Sequence, residues 1–129
     1  MSIWTHVAGV IRFDSFLGED LDLGIPVDFR DSLEDFCKCT LPCGSEGSLE
    51  YQIYENPDPH SVARWSVQFW GDLRDYDNEE EIINYFKKIT EGKCVRQGVF
   101  TIRVEYRPIR TFVYDFDKEK WAELNKIGG

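Results

Sequence analysis

Ile3-Trp4-Thr5-His6-Val7-Ala8-Gly9-Val10-Ile11-Arg12-Phe13-Asp14 is the stretch on which the fold turns. In an extended chain, Ile3, Thr5, Val7, Gly9, Ile11 and Phe13 fall on one side, and Trp4, His6, Ala8, Val10 and Arg12 on the other. Apolar residues on both sides predict a central strand, buried on one face and half covered on the other. Gly9 in its middle predicts a bulge or a close backbone contact.

Four more strands can be read outward from this one. Leu49, Tyr51 and Ile53 alternate with Glu50, Gln52 and Tyr54. Ala63, Trp65, Val67 and Phe69 alternate with Arg64, Ser66, Gln68 and Trp70. The prolines of Asn56-Pro57-Asp58-Pro59 break the chain between these runs, which predicts an antiparallel hairpin. Val95–Tyr106 places Phe100, Ile102, Val104 and Tyr106 on one face, and Arg110–Asp115 follows the turn at Pro108. Gly18–Gly24, Ser45–Ser48 and Gly71–Asp77 read as loops.

Three helices are expected. Pro26 suits a first helical turn, and Phe29, Leu33 and Phe36 fall at i, i+4 and i+7 before Pro42 and Gly44 stop the run. The best-specified helix starts at the N-cap Asn78, with Glu81 three residues on, as in a capping box. Its first turn is acidic and its last turn carries Lys87 and Lys88, as the helix dipole favours. Ile82, Phe86 and Ile89 form its buried stripe, broadened by Ile83 and Tyr85, and Gly92 is its stop. A short terminal helix over Lys118–Lys126 has Asp117 as N-cap and Trp121 and Leu124 as anchors.

The resulting order is β-α-β-β-α-β, then a strand and a short helix. It predicts an α+β class, a ferredoxin-like split β-α-β-β-α-β antiparallel sheet with an extra C-terminal strand and short helix. At 129 residues, with 42% apolar and 15% aromatic content, a single domain over 1–129 with its own core is expected.

Charge narrows the partners. Fifteen basic and 24 acidic residues give a net charge of −9, which disfavours DNA, RNA and anionic membrane surfaces. Asp14–Asp35 holds eight acidic residues against Arg30, and Asp72–Glu81 holds six against Arg74. Lys93–Arg110 reverses the balance, with five basic residues against Glu105. The bland reading is a solvated acidic surface, and the sharper one is an acidic face that docks on a basic partner. With no long apolar run and no basic, apolar leader, the expected compartment is the cytoplasm.

The chemistry-bearing residues are sparse. Cys37, Cys39 and Cys43 form a C-x-C-x₃-C cluster, with Cys94 far away. Structural zinc sites favour paired C-x₂₋₄-C spacing, so reduced thiols are expected and a zinc site is the minor alternative. Walker A, G-x-S-x-G and H-E-x-x-H patterns are absent. Asp72, Asp75 and Asp77 resemble the start of a calcium loop but lack its glycine. His60 reads as an exposed loop residue and His6 as a packed or interface histidine. Hence no catalytic residue, cofactor or metal is expected. Trp4, His6, Trp65 and Trp70 are the candidate interaction residues, since two helices cover only one face of the sheet.

Trp4-Thr5-His6-Val7-Ala8-Gly9-Val10-Ile11-Arg12 resembles the W-T-H-[VI]-x-G-x-I opening of uncharacterised small bacteriophage proteins. The resemblance covers about nine residues and implies a phage or prophage accessory protein, with no catalytic residue carried over. The functional expectation is a non-enzymatic interaction protein that binds a protein partner or a second copy of itself. The alternative is a small enzyme or ligand-binding domain that uses the open sheet face.

Overall fold

The computed structural model describes residues 2–14, 19–20, 25–26, 37, 41–57 and 65–124. Its elements are β1 (Trp4–Phe13), β2 (Glu19–Asp20), β3 (Ile25–Pro26), β4 (Glu50–Glu55), β5 (Trp65–Arg74), α1 (Glu79–Thr90), β6 (Val95–Val104), β7 (Arg110–Asp115) and β8 (Lys120–Glu123). Six strands form one antiparallel sheet in the order β4-β5-β1-β6-β7-β8, and β2 and β3 make a separate pair. β1 lies inside the sheet, flanked by β5 and β6, as its two apolar faces require.

One face is packed. Val7, Ile11, Val67, Phe69, Phe100 and Ile102 point beneath α1, whose buried side is Ile82, Ile83, Tyr85, Phe86, Ile89 and Thr90. Phe86 stacks on Phe100 with ring centroids 4.0 Å apart, and Phe100 stacks on Phe112 at 4.7 Å. Trp121 meets the Phe100 ring edge-on at 4.8 Å, while its indole N–H donates to Thr90 Oγ1 at 3.0 Å. These rings bury large apolar areas and satisfy the indole donor as well. At the start of α1, Asn78 caps the helix by accepting the Glu81 N–H at 3.2 Å. Arg110 ties α1 to β8: it donates to both carboxylate oxygens of Glu123 at 2.8 and 2.7 Å and to Glu79 at 3.1 Å.

The ferredoxin-like α+β expectation is overturned. The described residues are predominantly β, six antiparallel strands with α1 as the single helix among them. The terminal helix expected over Lys118–Lys126 is instead β8, as far as the described residues run. Asp115 Oδ1 accepts the N–H groups of Asp117 and Lys118, and Glu119 adopts φ +53°, so the chain reverses into a hairpin. Trp121 then pairs with Tyr114 and turns inward, while Leu124 is exposed. Trp121 and Leu124 fit a helical spacing, but so short a window fits an inward-facing strand tryptophan as well.

Three boundaries move. β5 continues through Gly71 to Arg74, where a loop is expected, because Leu73 is fully buried and the segment pairs along β1. A Cβ at Gly71 would stand 2.8 Å from the Ser48 carbonyl oxygen, so only glycine lets the chain pass here as strand. Pro26 pairs with Glu19 in β3 instead of opening a helix, and Glu19–Asp20 within the expected loop is strand β2. The remainder of the helix expected after Pro26, with Phe29, Leu33 and Phe36, lies outside the described residues. So do Cys39, His60, Ala63 and Arg64.

Candidate functional site

The other face of the sheet is open. Strand alternation places Trp4, His6, Ala8, Val10 and Arg12 of β1 on it, together with Gln68, Trp70, Asp72 and Arg74 of β5. Val99, Thr101 and Arg103 of β6 complete its centre. Trp70 is 45% exposed, and Val99 and, further along the face, Tyr54 are exposed too. Ala8, Gly9 and Val10 floor an apolar depression of about 540 Å³, bounded by Gln68, Trp70, Val99 and Thr101. Gly9 lets β1 and β6 approach closely here: it lies directly opposite Phe100, and on the packed side a Cβ there would stand 2.7 Å from Phe100 Cβ and 2.8 Å from the Val99 carbonyl oxygen.

Of the four expected interaction residues, three share this face. Trp4 and His6 are half-buried on it and Trp70 projects from it. Trp65 does not join them: it is 7% exposed and belongs to the core on the opposite side. One step of parity along β5 separates the two tryptophans.

Above the depression, charge is arranged in two cross-strand rows. Asp72, His6 and Arg103 lie side by side across β5, β1 and β6. Arg74 and Trp4 form the next row, closed by Glu105, whose N–H donates to the Trp4 carbonyl at 3.0 Å. His6 Nδ1 lies 2.6 Å from Asp72 Oδ1, and Nε2 lies 3.3 Å from Glu105 Oε2. The hydrogen bond to Asp72 is the main cause that raises the His6 pKa, against the opposing effect of burial and with the help of Glu105. Both ring nitrogens are engaged by carboxylates, so neither is placed to take a proton from a substrate. The sequence reading missed Asp72, Arg74, Arg103 and Glu105 as site residues. The signal was present in the alternation Asp72-x-Arg74 and Arg103-x-Glu105, which sets each opposite-charge pair on one face of a strand.

A second cavity, also of about 540 Å³, opens between the end of α1 and the β7–β8 hairpin, lined by Lys87, Lys93, Cys94, Tyr114, Lys120 and Trp121 among others. Burial lowers the Lys93 pKa and raises that of Tyr114. Cys37 is buried, and Cys43 and Cys94 are exposed free thiols. Among the described residues no group of three His, Cys, Asp or Glu side chains is placed to hold a metal. Among them, too, no helix is long and apolar enough to cross a membrane. Comparison of the chain with known families, curated proteins and solved structures finds no match.

Proposed function

We propose that this chain is a non-enzymatic interaction protein whose open sheet face binds a protein partner, and that it serves as a cytoplasmic phage or prophage accessory protein. The observation that supports the binding role is the apolar depression floored by Ala8 and Gly9 beneath the exposed ring of Trp70. An exposed aromatic next to a hollow, rimmed by charged residues, is the usual composition of a protein-binding patch. The enzyme alternative asks for convergent polar groups in a deep site. Here the hollow is shallow and apolar, and the nearby imidazole is saturated by its two carboxylates. Nucleic acid is a poor fit to a chain of net charge −9. The free thiols of Cys43 and Cys94 suit a reducing compartment.

The test is quantitative affinity capture from the source cells, with the wild-type chain and a Trp70→Ser/Val99→Asp variant as baits. The expected result is a protein enriched on the wild type and lost from the variant. Equal recoveries on the two baits would count against the open face as the binding surface.

A further inference from the structure

The charge rows on the open face have a symmetry that identifies a specific occupant. β5 and β6 flank β1 on its two sides. The β5 side carries Asp72 and then Arg74; the β6 side carries Arg103 and then Glu105, in the same two rows. The signs therefore invert across β1, row by row. We propose that the partner is a second copy of this chain, with the two open faces packed about a two-fold axis that runs along β1. The inference rests on the reading that the open face binds protein, and it names what binds there.

A two-fold along β1 lays β5 of each chain over β6 of the other. Asp72 then faces Arg103 of the partner subunit, and Arg74 faces Glu105 of the partner subunit. Each contact occurs twice, as an isologous interface demands. The apolar rows obey the same rule. Trp70 on the β5 side is matched in its row by the smaller Ala8 and Thr101 on β1 and β6. The axis sets Trp70 over Thr101 of the partner subunit, into the hollow that Ala8 and Gly9 floor. Each chain thus offers one projecting ring and one recess. Two sheets packed face to face lie about 10 Å apart, a gap that interdigitating side chains of this size fill.

Net charge does not oppose the contact locally. Over β4, β5, β1 and the β6 segment through Glu105, the open face carries Glu50, Asp72 and Glu105 against Arg12, Arg74 and Arg103, three of each sign, in a chain of net charge −9. The excess acid lies elsewhere, and the remaining long-range repulsion is screened by salt.

The test is a charge swap read by sedimentation equilibrium on the full chain. The wild type is expected to dimerise. Asp72→Arg sets two arginines against each other at both symmetric contacts, and Arg103→Asp sets two aspartates. Each variant alone is expected to dissociate at least about tenfold more readily, about 1.4 kcal/mol. Mixed in equal amounts, the two variants are expected to associate again, because in the mixed pair an arginine meets an aspartate at both contacts. A change confined to one chain's own stability would not produce that recovery. If either variant fails to melt like the wild type, Arg74→Glu with Glu105→Arg repeats the swap one row on. A wild type that remains monomeric up to about 0.5 mM, a concentration that detects even weak association, overturns the self-association. So does a mixture no more associated than its components. Either result leaves the affinity-capture comparison to decide separately whether the face binds another protein.

Discussion

The two faces of the sheet are built by the same strands and end in opposite states. On the packed face, Phe100 is sealed between Phe86, Phe112 and Trp121. On the open face, one residue away in β6, Val99 is exposed beside Trp70. Both faces are apolar enough to bury, but α1 covers only one. Apolar composition therefore makes a core beneath α1 and an exposed apolar surface on the side where no described element packs.

The sharpest break in the comparison is a pair of truncations. Phe100→Ala removes a ring that stacks on both sides and should cost about 3–5 kcal/mol. Trp70→Ser removes a larger ring from the open face and should change the stability of the dilute chain by no more than about 0.5 kcal/mol. Denaturant melts at low protein concentration check both. Comparable losses at the two positions would mean that the open face is covered within the chain itself.

Gly9→Ala comes next, because it acts on the contact between the two central strands that both faces share. The new Cβ meets Phe100 Cβ and the Val99 carbonyl, so β1 and β6 must move apart. The expected loss is about 1–3 kcal/mol, the range for overpacking a tight site. A neutral melting curve would show that the strands separate freely here.

Parts of this division are legible in the sequence. Apolar residues at both parities of Ile3–Asp14 place β1 inside a sheet, and Gly9 announces a close contact. The Asn78 cap and the Ile82, Phe86, Ile89 stripe define α1, because a twelve-residue helix repeats its period often enough to be read. The terminal strand was not legible. Trp121 is one inward residue in a four-residue strand, and its direction is set by Gly98, Thr90 and Tyr114 from other elements. The split of Trp65 from Trp70 follows from parity alone, since five positions separate them. Which face α1 covers is decided by tertiary packing. The inversion of charge across β1 is equally hidden, since it needs the register that sets Asp72 and Arg103 beside His6.

Asn78→Ala probes the layer that makes the packed face. The Asn78 side chain accepts the Glu81 N–H, while Glu81 also accepts the Tyr76 hydroxyl at 2.6 Å. Loss of the cap should lower stability by about 1 kcal/mol. A change below about 0.2 kcal/mol would mean that water replaces the cap without penalty.

A small effect is also expected at His6, because its contacts lie on the exposed side. Its imidazole bridges Asp72 and Glu105, and exposed ion pairs of this kind are worth about 0.2–1 kcal/mol. The folded pKa is raised above the ordinary value of 6.5, chiefly by the hydrogen bond to Asp72. The bridge therefore stabilises the fold fully below about pH 6.5 and loses that contribution as pH rises through the raised folded value. His6→Gln keeps a polar side chain but cannot carry the charge. The difference in stability between wild type and variant should be largest near pH 6 and shrink toward pH 9. Paired melts across that range measure it. A gap that widens with rising pH would reverse the sign and remove the charged bridge from the open face.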